Sequence, residues 1–196
     1  AQPHLYAGYK IFVAEVASTL NEALISEHLL KTTEDPKMLA YIINHYLDQF
    51  RGTIFRQTMF AEFEQQTHAL AEAGGSLTSE SLSKQYAQLN ELYYGSGVAQ
   101  DQEIATEWCR IPHFYSAFYV YKYATGFSAA IALANKILRR EEGAVDRYRR
   151  FLSAGSSDYP IELLRQAGVD MTTTQPVREA LSSFGRLVTR LEELLG

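Results

Sequence analysis

From Asp35-Pro36 to Ala73-Gly74-Gly75 this chain contains almost nothing that would stop a helix, and that stretch decides its fold class. Asp35 stands just before a proline, the arrangement that caps a helix and shapes its first turn. Leu39, Ile42, Ile43, Tyr46, Leu47, Phe50, Ile54 and Phe55 then recur at three- and four-residue spacing, an apolar stripe on one helix face. A helix is expected from about residue 37 to residue 73, with Gly52 as the place where it bends. A strand would instead alternate apolar and polar residues and end within about ten positions. No stretch of the chain alternates convincingly, and neither an internal repeat nor a low-complexity tract is visible.

The remainder repeats the helical pattern. The five prolines, at positions 3, 36, 112, 160 and 176, all fall at plausible boundaries. Residues 76–80 offer capping side chains for a helix carrying Leu82, Tyr86, Leu89, Leu92 and Tyr93, which stops at Gly95-Ser96-Gly97. Residues 127–138 are Ala-rich and apolar nearly all round, which predicts a buried helix closed by Arg139-Arg140 and Gly143. Residues 153–160 form a loop that opens a short helix. Pro176-Val177 opens the last helix, with Leu181, Phe184, Leu187, Leu191 and Leu194 as its stripe. The expectation is a single all-α domain over residues 1–196, a helical bundle large enough to bury a real core.

Charge and cysteine usage remove several functions. A net charge of -5 argues against nucleic acid or an anionic membrane as partner. No apolar run approaches the roughly 18 residues of a membrane span, and no signal-peptide pattern is visible. Cys109 is the one cysteine, so neither an internal disulfide nor a C-x-x-C zinc site is available. That fits a cytoplasmic setting. The chain begins with Ala1 rather than Met, which fits a cut or processed product.

Three constellations can carry chemistry. Residues 9–23 read as a helix with Phe12, Val16, Leu20 and Ala23 on its apolar side, and within that run stand Glu15 and Glu22. Seven residues is close to two helical turns, so both carboxylates project from nearly the same face. They are either acids at a core edge, capped by a serine or a distant arginine, or a metal ligand with a supporting carboxylate behind it. Glu62, Glu64 and His68 form a second group. Glu64 and His68 are one turn apart and could share a metal, but a di-metal bundle wants Glu-x-x-His pairs on two helices, and none is found. His68 otherwise reads as a solvated helix residue. The third group runs from Trp108 through His113-Phe114-Tyr115 to Phe118-Tyr119-Val120-Tyr121-Lys122-Tyr123-Ala124-Thr125-Gly126. Aromatics this dense are core packing or a binding surface. Tyr and His are also suitable donors to the oxyanion formed when water attacks a peptide carbonyl.

The residues of the first and third groups resemble the oligoendopeptidase F family, relatives of the thimet oligopeptidases. Phe12-Val13-Ala14-Glu15-Val16-Ala17-Ser18-Thr19 with Asn21-Glu22 is similar to the family's third-ligand helix. His113-Phe114-Tyr115 with the run from Phe118 to Gly126 is similar to its His/Tyr cluster. Residues 59–64 and 158–171 also resemble the family, so the likeness covers essentially the whole chain. It implies a helical bundle forming the C-terminal part of a zincin-like oligopeptidase catalytic domain. It implies hydrolysis of short peptides by a metal-activated water, with Glu15 as the protein's third zinc ligand and Glu22 supporting it. Tyr121 becomes the oxyanion donor, His113 and Tyr115 contact substrate or the same oxygen, and Tyr119 and Tyr123 are left as packing. The segment between His113 and Tyr121 is shorter than in thimet-type relatives, which bears most on Tyr115.

One family motif is missing: no H-E-x-x-H occurs anywhere in the chain. The resemblance therefore puts two zinc-binding histidines and the general-base glutamate upstream of Ala1, in the other half of the same catalytic domain. One Zn2+ ion is implied, and the isolated chain is predicted neither to hold it nor to cleave peptides. Two other classes remain open. One is a non-enzymatic helical interaction module, the other a carboxylate-rich bundle binding metal through Glu15, Glu22, Glu64 and His68.

Overall fold

The structure, a computed structural model, describes residues 3–6 and 8–196. The described residues are helical or irregular, with no strand among them. Eight α-helices follow in order among those residues: α1 (Val16–Thr32), α2 (Pro36–Phe50), α3 (Arg56–Glu72), α4 (Ser79–Tyr94), α5 (Tyr121–Leu138), α6 (Ala144–Ala154), α7 (Pro160–Ala167) and α8 (Gln175–Leu195). Short 3-10 turns cover Ile11–Val13, Gln102–Arg110 and Pro112–Tyr115. No helix among the described residues is long and apolar enough to cross a membrane.

The long helix expected over residues 37–73 is present in three pieces. Asp35 accepts the Lys37 backbone N–H at 3.1 Å and starts α2, which runs to Phe50. A π-helical turn over Arg51–Phe55 then replaces the simple bend expected at Gly52, and α3 begins at Arg56. The buried positions explain it. They step by three or four from Leu39 through Ile43, Tyr46 and Phe50 to Ile54, then by five to Met59. A π turn takes up the extra residue without breaking the backbone hydrogen bonds.

The chain divides into two compact units, one made of the chain up to Arg51 together with Thr125–Gly196, the other of Gly52–Ala124. In the first, Phe50 is fully buried, its ring 5.2 Å from Tyr46, 4.9 Å from Phe127 and 5.7 Å from Phe184. Helix α8 packs along α2, and α6 along α7. Every residue of α5 from Gly126 to Ala134 is buried, as the Ala-rich run predicts. On α8 Leu187 is buried and Phe184 meets Phe50, as the stripe predicts, but Ala180 and Ser183 are buried too, while Leu181 is exposed.

In the second unit, α3 and α4 lie together, and the 3-10 segment Gln102–Arg110 packs on α4. Thr78 caps α4 through a reciprocal pair with Ser81, and Gly95, at φ 71°, ends it. Leu92, expected on the α4 stripe, is exposed instead. The core gathers Met59, Phe60, Phe63, Tyr86, Leu89, Ile111 and Val120. Beside it Glu107 is buried and saturated: Tyr86 donates to Oε2 at 2.5 Å, and Arg56 and Arg110 donate to Oε1 at 2.7 and 2.5 Å.

Candidate active site

Glu15 and Glu22 belong to the first unit, but not as two acids on one continuous helix. Ile11–Val13 is a 3-10 turn, Glu15 is the N-cap of α1 at φ -89°, and the α-helix starts only at Val16. The helix expected over residues 9–23 thus becomes α-helical only at Val16, although the Glu15 carbonyl already accepts the Thr19 N–H at 3.0 Å. Val13, Val16, Leu20 and Ala23 are all buried, at the three- and four-residue steps of one helix face. Glu15 and Glu22 are both exposed. Ser18 donates to Oε2 of Glu15 at 3.2 Å and to its backbone oxygen at 3.1 Å. Glu22 adds negative charge near Tyr46, whose phenol burial pushes far above its ordinary value, with Glu27 and then Glu22 pushing the same way.

The His/Tyr segment of the second unit is sorted by burial rather than being wholly core or wholly surface. Ile111 and Val120 are buried, and Phe114 packs its ring 5.6 Å from Phe60 and 5.5 Å from Phe63. These three apolar side chains anchor the segment on α3 and α4. Between them His113, Tyr115, Phe118 and Tyr121 are exposed. Pro112 starts the 3-10 turn that presents His113, and Ser116 donates its N–H to the His113 carbonyl at 3.0 Å. Tyr119 and Tyr123 flank the imidazole with ring centroids at 5.7 and 5.9 Å, and the Tyr123 hydroxyl lies 3.4 Å from His113 Nε2. The two tyrosines read as packing thus pack on the candidate histidine. Tyr115 is 90% exposed and Tyr121 39%. Tyr121 borders a cleft of about 410 Å³ shared with Thr58, Glu62, Gln65 and Phe118.

Glu64 departs from expectation. It is buried on α3, and its Oε1 accepts the backbone N–H of Phe118 at 2.5 Å. His68, read from sequence as solvated, is half-buried with its ring 4.6 Å from that of Phe118. The one-turn spacing of Glu64 and His68 serves Phe118. Glu62 accepts from the Tyr93 hydroxyl at 2.8 Å and from Gln66 at 3.2 Å. Burial first, then that hydrogen bond and the Glu62 charge, push the Tyr93 phenol up to about 12. Among the described residues no three His, Cys, Asp or Glu side chains group to hold a metal ion. Glu15 fits as a single exposed carboxylate donor.

The sequence did not point to Glu107, and it offered Glu64 only as a candidate metal ligand beside His68, with no catalytic role. For Glu64 a signal existed: it follows Met59, Phe60 and Phe63 on what proves to be the buried face of α3. For Glu107 the sequence offered only Arg110 three positions on, an ordinary surface pairing, because Arg56 and Tyr86 lie 51 and 21 residues away.

Comparison with known proteins gives consistent results. The model of peptidase family M3 matches residues 1–183. The oligopeptidase PepF of Bacillus subtilis is 56% identical over 99% of this chain, which corresponds to 29% of that protein. The plasmid-borne oligoendopeptidase F of Lactococcus lactis subsp. cremoris is 48% identical over 99% of this chain and 32% of its own length. The crystal structure of oligoendopeptidase-F from Enterococcus faecium superposes with a TM-score of 0.92 at 53% identity, covering 95% of this chain and 36% of that one. The chain thus spans about a third of the length of the curated relatives it matches.

Proposed function

We propose, from the premise that this chain belongs to peptidase family M3, that it forms the C-terminal part of the catalytic domain of an oligopeptidase. That enzyme is a zinc metalloendopeptidase hydrolysing short peptides. The observation that carries the reading is the identity with a named oligopeptidase over nearly the whole chain.

Each residue contributes separately. Glu15 offers an exposed carboxylate to one Zn2+ ion whose two histidines come from the upstream half of the same catalytic domain. The Ser18 hydroxyl holds one oxygen of that carboxylate, and Glu22 adds negative charge further along α1. When bound, the ion supplies Lewis-acid activation of water and of the scissile carbonyl. The Tyr121 hydroxyl donates a hydrogen bond to the carbonyl oxygen as negative charge develops there, a contribution of about 3 kcal/mol for one such donor. His113, its ring oriented by Tyr119 and Tyr123, donates to the same oxygen or to substrate, and Tyr115 contacts substrate. A lone exposed cysteine fits a cytoplasmic setting.

The test is a chimera in which this chain replaces the corresponding part of the Bacillus subtilis relative. Hydrolysis of an internally quenched peptide that needs zinc and disappears with Glu15→Ala supports the assignment. Zinc-dependent cleavage that survives Glu15→Ala sinks Glu15 as ligand. A folded chimera that cuts nothing favours the interaction-module reading. The 196-residue chain alone is expected to cleave nothing.

A further inference from the structure

We propose that Glu64 is a positioning residue for the segment carrying His113 and Tyr121, and that it acts by holding the backbone N–H of Phe118; the inference rests on the proposed function. Phe118 has φ 54°, a left-handed conformation that a bulky side chain avoids because its Cβ crowds the following carbonyl. Such a residue persists only where its surroundings over-determine it, and positions of this kind gather at functional sites. Here helix α3 does so from two successive turns. Glu64 takes the Phe118 amide at 2.5 Å, and His68, four residues on and on the same helix face, lays its ring on the Phe118 ring.

The carboxylate is only 5% exposed, and its donor is a backbone amide rather than a cation. A buried carboxylate is costly unless hydrogen bonds compensate, so a neutral side chain would serve stability more simply. What Glu64 adds is geometry. It fixes the one strained residue between His113 and Tyr121, two side chains exposed from otherwise anchored backbone. Without the carboxylate, Phe118 relaxes to negative φ and the chain leading into Tyr121 changes direction. Glu64 touches no reacting atom in this account.

The experiment compares the active chimera with its Glu64→Ala and Glu64→Gln variants, each first checked for folding by thermal denaturation. Glu64→Ala is expected to lower kcat by about 10- to 100-fold, the size of effect that small misplacement produces, with a much smaller change in KM. Glu64→Gln keeps an acceptor oxygen and restores most of the loss. In a Tyr121→Phe background, Glu64→Ala should cost far less, because both changes act on one hydrogen bond to substrate. An unchanged kcat, an equal loss in the Tyr121→Phe background, or a Gln variant as poor as Ala each overturns the proposal. Should Glu64→Ala fail to fold, Glu64→Asp takes its place, its side chain one methylene too short to reach the Phe118 amide; unaltered kcat there overturns the proposal equally. A native chimera without activity overturns the proposed function instead, before any substitution is made, and takes this inference with it.

Discussion

Tyr86 donates its hydroxyl to Oε2 of Glu107 at 2.5 Å, joining α4 to the 3-10 segment that packs on it. Burial alone would push the Glu107 carboxyl up. Hydrogen bonds from Arg56 and Tyr86, with the charges of Arg56 and Arg110, outweigh it and hold the carboxyl below the usual carboxylate range. Burial first, and then this same carboxylate, push the Tyr86 phenol well above its ordinary value.

A depressed folded-state carboxyl means that the unfolded chain binds more protons on the acid side. The stabilisation is complete above the unfolded carboxylate value of about 4.3 and is lost as pH falls through the lower folded value. Thermal unfolding should be nearly flat between about pH 5 and 7 and weaken steeply below about pH 4. Glu107→Gln should cost about 2–3 kcal/mol at neutral pH, since two guanidinium donors lose their charged acceptor, and should blunt the acid limb. Melting curves across pH for both proteins check this.

Glu15→Gln in the chimera should lower peptide hydrolysis by more than the roughly 100-fold that follows from disturbing a group that merely supports a ligand. Ser18→Ala, which removes the hydroxyl 3.2 Å from Glu15 Oε2, should stay within that range. Zinc content by atomic absorption, read beside kcat/KM, separates lost metal from lost geometry.

Tyr121→Phe should reduce kcat by about 100- to 1,000-fold while leaving KM close to native, the signature of a donor needed mainly in the transition state. Tyr115→Phe, altering a side chain that is largely in solvent, should act mainly on KM. Steady-state kinetics on one quenched peptide decide both.

Phe50→Ala should destabilise the first unit by about 3–5 kcal/mol, because a fully buried ring touching Tyr46, Phe127 and Phe184 is replaced by a cavity. Chemical denaturation followed by circular dichroism measures it.

The amino-acid sequence by itself determined the helical class, the Asp35 start of α2, a capping stretch at residues 76–80 ahead of α4, and the burial of the Ala-rich α5. The resemblance of two of its motifs to the oligoendopeptidase F family singled out Glu15, His113, Tyr115 and Tyr121 as the residues to test. These readings rest on periodicity, on capping and on short motifs, and each is written within a few neighbouring positions. The tertiary structure decided where α1 starts, the π turn at Arg51–Phe55, the burial of Ala180 and Ser183 rather than Leu181 on α8, and the sorting of the His/Tyr segment into anchors and exposed side chains. It also decided the fate of two carboxylates, Glu64 bonded to Phe118 54 residues on and Glu107 to Arg56 51 residues back. A charge enters a core only when donors arrive from elsewhere in the chain, and that meeting is made by packing, not by local sequence.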